Sequence, residues 1–366
     1  MPESASHMSP IESTSRAAWT ATDLQEDESW IRVLDARARR DLAEGVRKAR
    51  APGKDLFDYR REDFDLGAAA PVIAAAFAET KRGRGIALVR GLPRDDFSEE
   101  EFKLLTWAIG LHTGVARPQG KASHYISAVR DEGVEYRTGK GRGYSSNAEL
   151  DFHTDSADVV ALTCYNKAAS GGMSIVTSSP QAYQAMSVEH PDLVDFLREP
   201  IHFSRQQEQA PGETLSYPNP VFDELAGRLY SKWNRNRMES AQKIEGVPRI
   251  SARHREALEQ FDLLVRRPDL AYTMWLEPGD MQLVNSHVTV HSRTDFVDHE
   301  TAAEKRLLWR LWLATPDGER LPESWRPAYG AVEAGTVRGG IRGQAYDDAR
   351  KSFESRQAAD VGMIVP

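Results

Sequence analysis

Three side chains in this sequence could hold a metal ion together. His153 and Asp155 are two residues apart, and residues two apart in an extended segment point to the same face. His291 lies 138 positions further along the chain. Two imidazole nitrogens and one carboxylate on one face of an octahedral ion leave three positions open, which suits non-haem Fe(II) working with O2 and a co-substrate. His153 and Asp155 alone are weak support, because a chain with 10 histidines and 55 acidic residues contains such pairs by chance, often in a solvated turn.

The sequence around His291 carries a more specific signal. Residues 276–294, LEPGDMQLVNSHVTVHSRT, resemble the distal-histidine region of the taurine dioxygenase and 2,4-dichlorophenoxyacetate dioxygenase-like family. That family belongs to the Fe(II)/2-oxoglutarate-dependent oxygenases and is related to clavaminate synthase. The resemblance extends over about 147–313, with a fainter echo at 85–92. It implies a mainly β fold with flanking helices, a double-stranded β-helix (jelly roll, cupin-like) barrel with a large insertion over its mouth.

The resemblance also implies a cofactor set: Fe(II) held by His153, Asp155 and His291, with 2-oxoglutarate and O2 as co-substrates. His287 is the rival third ligand, because it lies four residues before His291 on the same face if the strand continues. We favour His291, since the Ser-Arg-Thr that follows it matches the family pattern. His287 is then expected to be a buried hydrogen-bonding residue.

Two arginines lie on one face of a predicted strand at 306–313, RLLWRLWL. The alternation of the strand places Arg306, Leu308, Arg310 and Trp312 together. Two guanidinium groups among apolar residues need an anion, unless they lie at a strand edge facing water. By resemblance, one arginine binds the distal carboxylate of 2-oxoglutarate, and the other lies near its 1-carboxylate or an anionic group of the substrate. The sequence does not assign the two roles.

Further contacts follow only from the resemblance. Ser174, where taurine dioxygenase has threonine, or the nearby Thr177 would touch 2-oxoglutarate through its hydroxyl, although a structural role is the alternative. Glu149 stands where taurine dioxygenase has a substrate-binding asparagine, and its alternative is a plain salt bridge. Asp158 is expected to be structural. Further candidates for substrate contacts are Asn147, Tyr125 and Arg142.

The composition limits the class of protein. Of the 366 residues, 40% are apolar and 28% charged, as in a soluble globular protein. No apolar run approaches the roughly 18 to 20 residues that a membrane span needs, and the net charge of −8 argues against a nucleic-acid partner. The single cysteine, Cys164, lies in a predicted buried strand, which fits a packed thiol and a reducing compartment. No secretion signal is visible, so a cytoplasmic location is expected.

The organisation follows from the site. Because its two halves are far apart in sequence, one folded unit must contain both. The sequence predicts a flexible arm at 1–22, one catalytic domain at 23–330 with an insertion at about 190–270 over the active site, and a C-terminal tail at 331–366. Hydrophobic periodicity and capping patterns predict helices at 29–50, 68–80, 98–111, 180–188 and 251–265.

The resemblance implies a dioxygenase that converts 2-oxoglutarate to succinate and CO2 while oxidising an unactivated C–H bond. The expected substrate is a small polar, amino-acid-like or anionic molecule, and a homo-oligomer is left open. Hydroxylation is the default, with desaturation, cyclisation or C–N/C–S cleavage in natural-product biosynthesis as alternatives. Halogenation is disfavoured, because it requires a small residue in place of Asp155. The paired arginines argue against a non-oxidative Zn or Ni enzyme, and the intact ligand set argues against a binding protein on the same barrel.

Overall fold

The structure, a computed structural model, describes residues 16–134 and 143–366 and is mainly β with helices on the outside. Its strands are β1 (Ile31–Val33), β2 (Ile86–Arg90), β3 (Val115–Ala116), β4 (Ile126–Val129), β5 (Leu150–His153), β6 (Val159–Asn166), β7 (Ser170–Gly171), β8 (Ser174–Ser178), β9 (Ile201–Ser204), β10 (Ser216–Asn219), β11 (Phe222–Leu225), β12 (Arg228–Ser231), β13 (Ala271–Met274), β14 (Met281–Asn285), β15 (Thr289–Arg293), β16 (Phe296–Val297) and β17 (Leu307–Ala314). Its helices are α1 (Ala21–Glu26), α2 (Ala36–Ala49), α3 (Ala70–Arg82), α4 (Glu99–Thr113), α5 (Ser179–Glu189), α6 (Arg235–Ala241), α7 (Ala252–Val265), α8 (Arg326–Tyr329) and α9 (Asp348–Val361).

Two sheets form the centre of the molecule. The larger has seven strands in the order β1-β2-β14-β6-β17-β3, with β4 also paired to β17, and the smaller has the order β13-β8-β15-β5. Apart from the parallel pair of β1 and β2, the strand pairs of both sheets are antiparallel. The observed fold, mainly β with flanking helices, agrees with the predicted fold class. The two sheets described above correspond to the predicted jelly roll.

Side chains alternate along β17, so that one face of the larger sheet contacts the helices and the other faces the interior between the sheets. Leu307, Trp309, Leu311 and Leu313 pack against α2, α3 and α4 in the largest apolar cluster. The residues between them, including Arg310, face the smaller sheet. Strand β6 alternates in the same way. The predicted shared face of Arg306, Leu308, Arg310 and Trp312 is therefore confirmed, and it faces the interior between the sheets.

The segment between the two halves of the site builds its own apolar cluster. Strands β9 to β12 and helices α6 and α7 pack with α5 and with residues 321–332. Asn234, at the start of α6, forms a bridge with His153. The insertion predicted at about 190–270 is therefore seated against the strand that carries the first histidine.

Three sequence boundaries need correction. The predicted helix at 29–50 begins only at Ala36, because Ile31–Val33 pairs as β1 with β2. The predicted arm at 1–22 is packed at its end, since Trp19 is buried and its indole donates to the Arg84 carbonyl at 2.7 Å. The tail at 331–366 contains the ordered helix α9, whose Phe353 is buried in the main apolar cluster.

Two further features concern compartment and redox chemistry. Helices long and apolar enough to cross a bilayer are not found in the described part of the chain. Cys164 is buried on β6, its thiol donates to the Leu276 carbonyl at 3.2 Å, and burial raises its pKa to about 12. The thiol is a packing group, as predicted.

Candidate metal centre

The two histidines are brought together by strand pairing. His153 ends β5, His291 lies in the middle of β15, and the two residues are directly opposite each other in the antiparallel ladder. Their ring centroids are 4.4 Å apart. Nδ1 of His153 lies 2.8 Å from the Asp151 carbonyl, which makes it the protonated nitrogen and leaves Nε2 with a free lone pair. His153 is therefore preset as a ligand through Nε2.

Asp155 completes the set from just beyond the end of β5. Its carboxylate lies 3.9 Å from Nε2 of His153 and 3.8 Å from Nε2 of His291. One ligand atom from each of the three residues lies within 4.8 Å of the other two. The backbone of Thr154 donates to the Trp233 carbonyl at 2.7 Å, which fixes the turn between the first two ligands. The predicted triad is thus assembled from three separate backbone positions.

Burial sets the protonation of this site. Asp155 and His291 are both less than one-tenth exposed. Burial, reinforced by His153, lowers the pKa of His291 to about 3, so the imidazole is neutral and its nitrogen is available. Burial by itself would raise the pKa of Asp155, but Arg310 and the two imidazoles outweigh it and lower that pKa. The neutral imidazole of His291 and the carboxylate of Asp155 are in the forms that bind a divalent ion.

An inner cavity leads from the triad into the space between the sheets. Arg306, which is 4% exposed, lines this cavity together with His153 and His291. Nη1 of Arg306 donates to the Val129 carbonyl at 3.3 Å, and among the described residues its guanidinium has no carboxylate within ion-pair distance. Burial lowers the pKa of Arg306 to about 10. Gly172, at φ +74°, leaves room for this arginine, because a Cβ there would lie 3.0 Å from its Nε.

Arg310 stands between the inner cavity and a larger outer cavity. Its Nη1 lies 4.0 Å from Oδ2 of Asp155, and its guanidinium packs over Tyr144 at 4.7 Å. Nε donates to the side-chain carbonyl of Gln119 at 2.8 Å. The Gln119 amide nitrogen in turn donates to the carbonyls of Tyr125 and Arg310, so its orientation is fixed. Gln119, which the sequence did not single out, holds Arg310 beside the metal ligands.

The outer cavity encloses about 830 Å³, including space open to solvent, on the other side of the triad. Its walls near the metal ligands include Trp312 and Phe152. The polar part of its lining comes largely from the insertion and from the segment after Asp155. No motif marked these residues, because they are single polar positions in loops. They are Gln206, Glu208, Asn234, Asn236, Arg237 and Ser156.

The two hydroxyls predicted to touch the co-substrate differ in position. Ser174 lines the inner cavity, and its hydroxyl donates to the side-chain carbonyl of Gln282 at 2.9 Å. Thr177 is three residues further along β8 and faces the other side. Its hydroxyl donates to the Val265 carbonyl at 2.8 Å, so the structure contradicts the prediction for Thr177.

The predicted substrate contacts are mostly elsewhere. The prediction that Tyr125 contacts the substrate is wrong, because its ring is buried against α9 and its hydroxyl donates to Glu354 at 2.6 Å. Glu149 pairs with Arg266 at 3.1 Å, the alternative kept for it, and lines neither cavity. Asn147 is exposed and also outside both cavities. Arg142 lies outside the described residues.

The rival histidine belongs to a second buried cluster. Nε2 of His287 lies 3.0 Å from Oδ1 of Asp158, and Nε of Arg338 donates to the same oxygen at 2.8 Å. The other oxygen of Asp158 accepts from the backbone of Thr315 at 3.1 Å. His287 is thus a buried hydrogen-bonding residue and not part of the triad, and Asp158 is structural, as expected.

Comparison with known proteins agrees with this site. A family profile described as "Taurine catabolism dioxygenase TauD, TfdA family" matches residues 49–312. This chain belongs to the TauD/TfdA family. It is therefore an Fe(II)- and 2-oxoglutarate-dependent dioxygenase, an oxidoreductase that uses O2.

Individual TauD/TfdA relatives and solved structures are also similar. FR-33289 synthase of Streptomyces rubellomurinus (strain ATCC 31215) is 30% identical over 315 residues, which are 85% of this chain and 93% of that protein. The taurine hydroxylase-like protein SAT17 of Stachybotrys chartarum (strain CBS 109288 / IBT 7711) is 25% identical over 264 residues, 68% of this chain and 66% of SAT17.

Two solved structures show the fold. Asparagine oxygenase in complex with Fe(II), 2S,3S-3-hydroxyasparagine and succinate has a TM-score of 0.59 at 19% identity, covering 78% of this chain and 94% of that one. The non-heme iron oxygenase OrfP in complex with Fe and alpha-ketoglutaric acid has a TM-score of 0.57 at 15% identity, covering 83% and 99%.

The residues present fit the iron and the co-substrate of the TauD/TfdA family. The triad offers two imidazole nitrogens and one carboxylate, which are suitable donors for Fe(II). The inner cavity offers a buried guanidinium that has no carboxylate within ion-pair distance among the described residues. A dicarboxylic co-substrate would supply the missing negative charge.

Proposed function

We propose that this enzyme hydroxylates an unactivated C–H bond of a small polar substrate that is amino-acid-like or anionic. His153, Asp155 and His291 would hold the iron, and the inner cavity would hold 2-oxoglutarate. The bound iron and co-substrate supply the oxidising chemistry, with release of succinate and CO2. The single observation that carries this proposal is that the buried Arg306, which has no carboxylate of the described residues within ion-pair distance, lines the same cavity as His153 and His291.

We assign different roles to the two arginines, because they lie at different distances from the triad. Arg306 would bind the distal carboxylate of 2-oxoglutarate, because its buried guanidinium lines the inner cavity together with Ser174 and has no carboxylate of the described residues within ion-pair distance. Arg310 would lie near the 1-carboxylate or an anionic group of the substrate, because it is 4.0 Å from Asp155 and lines both cavities.

The outer cavity would hold the substrate. Trp312 and Phe152 offer an apolar surface beside the metal ligands, where a C–H bond of the substrate can be placed. The polar side chains of the cavity can bind the functional groups of a small molecule. The names of the similar proteins support small substrates, since asparagine oxygenase is bound to hydroxyasparagine and OrfP to hydroxy-L-Arg. The cavity lies under the insertion, which would cover it.

We propose a cytoplasmic enzyme with one catalytic domain, a small-molecule substrate and no nucleic-acid or membrane partner. Desaturation, cyclisation or bond cleavage in natural-product biosynthesis is the second candidate, and the observation that favours it is the similarity to FR-33289 synthase.

The test combines substrate-stimulated succinate release with an Arg306→Met variant. A panel of small acids and amino acids, scored by succinate formed from 2-oxoglutarate, should contain compounds that stimulate the wild-type enzyme. Arg306→Met should raise the KM for 2-oxoglutarate by about 30-fold or more, because a buried charge pair loses about 2 kcal/mol or more on truncation. Arg40→Met, on the exposed face of α2, is the matched control and should not change KM. An unchanged KM in Arg306→Met would overturn the co-substrate assignment.

A further inference from the structure

A buried lysine lies behind the polar lining of the outer cavity. Neither the metal centre nor the proposed co-substrate site uses it. Lys232 follows β12 and is 3% exposed. Its ammonium group lies over the Tyr329 ring at 5.1 Å and donates to the hydroxyl of Ser156 at 3.3 Å. Among the described residues no carboxylate lies within ion-pair distance of it. Burial lowers the pKa of Lys232, so the free protein carries a cost for this charge.

Ser156 connects this lysine to the cavity. Its side chain lines the outer cavity and a smaller adjoining one. Because the Ser156 oxygen accepts from Lys232, its own proton is available to a molecule in the cavity. The backbone is held in place, since Gly340 donates to the Ser156 carbonyl at 2.6 Å. The hydroxyl is therefore a fixed donor next to a buried positive charge.

A second cation lies on the same wall. Arg237, on α6, lines both cavities and is largely buried. Its guanidinium donates to Glu208 at 2.8 Å and to the Ser204 carbonyl at 3.0 Å. A guanidinium has five N–H donors, so these two bonds leave capacity for a ligand. Glu208 pairs with Arg237, whereas Lys232 has no carboxylate within ion-pair distance among the described residues.

We propose that Ser156, Lys232 and Arg237 form an anion subsite that takes the oxyanion end of the substrate, so that the substrate is a small acid. The inference rests on the proposed function, because it takes the outer cavity as the substrate site. Trp312 and Phe152 would then face the part of the substrate that is oxidised. A planar carboxylate and a tetrahedral oxyanion such as phosphate share the required chemistry.

The experiment measures the binding of two probe anions, acetate and inorganic phosphate, to the full-length enzyme. Fe(II) and saturating 2-oxoglutarate are present without oxygen, so that Arg306 and the inner cavity are occupied, and the total ionic strength is constant. Isothermal titration calorimetry is run on the wild type and on Lys232→Met, Lys232→Arg, Ser156→Ala and Lys351→Met. Lys351 is an exposed lysine on α9 and supplies the matched control.

The wild type and Lys351→Met should bind at least one anion equally well, and a preference between the two identifies the shape of the oxyanion. Lys232→Met should weaken binding by about tenfold or more, and Ser156→Ala by several-fold, because each removes a donor or a charge at the subsite. Lys232→Arg should retain binding. If Lys232→Met does not fold, Ser156→Ala and Lys232→Arg decide the question.

Two results would overturn the subsite: no anion binding by the wild type at saturating 2-oxoglutarate, or equal binding by the wild type, Lys232→Met and Ser156→Ala. The visible absorption of the Fe(II) complex with 2-oxoglutarate is recorded in every sample. If that absorption is present while anion binding fails the test, the subsite is wrong and the proposed function stands. If it is absent from the wild type, the proposed function fails.

Discussion

The indole nitrogen of Trp312 donates a hydrogen bond to Oδ2 of Asp155 at 2.9 Å. Trp312 lies on β17 of the larger sheet, whereas the two histidine ligands lie on β5 and β15 of the smaller sheet. The bond therefore ties the carboxylate ligand to the opposite side of the fold. Asp155 lies beyond the end of β5, so the ladder of that strand does not fix its side chain.

Trp312→Phe should weaken Fe(II) binding by roughly 10- to 100-fold, the usual effect of losing an outer hydrogen bond to a metal ligand. The ring packing is largely kept, so the protein should still fold. Trp309→Phe is the matched control, because Trp309 is also buried on β17 but faces the helices. Titration with Fe(II) under anaerobic conditions checks both variants. Equal affinities for the two would show that the indole does not position Asp155.

The pairing of Asp158 with Arg338 predicts acid sensitivity. Arg338, with help from His287, holds the pKa of Asp158 far below its usual range despite burial. The folded state then binds fewer protons than the unfolded state, so this stabilisation is present above about pH 4 and is lost as the pH falls through the folded pKa. Asp158→Asn should lower the free energy of unfolding by about 3–5 kcal/mol at pH 7, since it leaves Arg338 buried without its carboxylate.

Urea unfolding between pH 3 and 7 measures this effect. Asp158→Asn should lose less stability on acidification than the wild type, while Asp348→Asn, at an exposed position on α9, should follow the wild-type curve. Parallel pH curves for Asp158→Asn and the wild type would contradict the assignment.

Asp280 should make the folded protein less stable as the pH rises, which is the opposite of the effect of Asp158. Burial raises its pKa to about 6 in the turn before β14. The folded state therefore holds a proton that the unfolded state releases near its ordinary pKa of about 4, and this residue costs stability as the pH rises from about 4 to above 6. Asp280→Asn should gain about 2–3 kcal/mol relative to the wild type between pH 4 and pH 7. Urea unfolding at both pH values checks this. A stability difference that does not change with pH would show that Asp280 ionises normally.

Tyr125→Phe separates packing from substrate binding. Its hydroxyl is bonded to Glu354, which also pairs with Arg117 at 2.7 Å in the buried contact between α9 and the larger sheet. Removing the hydroxyl should lower the free energy of unfolding by about 1–2 kcal/mol and leave the KM values for 2-oxoglutarate and substrate unchanged. Chemical denaturation and steady-state kinetics test the two parts. A raised substrate KM with unchanged stability would restore Tyr125 as a substrate contact.

The sequence predicted the parts of the molecule that depend on short-range patterns. The alternation along β17 placed Arg306 and Arg310 on one inward face, and the Ser98 and Glu101 capping box starts α4 as expected. Ser174 and Thr177 show the limit of the same reasoning, because they are an odd number of positions apart on β8 and only one can face the cavity.

The residues that the sequence did not reveal are positioned by long-range contacts. Gln119 contacts Arg310 because its loop folds back onto β17. Lys232 contacts Ser156 because the insertion packs behind that residue. A single polar residue in a loop has no period that would mark it. The sequence likewise could not show that Tyr125 is a buried packing residue, because its partner Glu354 is 229 positions away on α9.

The central claim is that His153, Asp155 and His291 bind the iron next to a chelated 2-oxoglutarate. The direct measurement is the visible charge-transfer band of the anaerobic enzyme with Fe(II) and 2-oxoglutarate, compared between His291→Ala and His287→Ala after circular dichroism has shown that both are folded. Both variants truncate a buried imidazole, and only one of these belongs to the triad. The account predicts a band in the wild type and in His287→Ala and none in His291→Ala. A colourless wild type that binds Zn tightly, or a band that survives in His291→Ala, would contradict it.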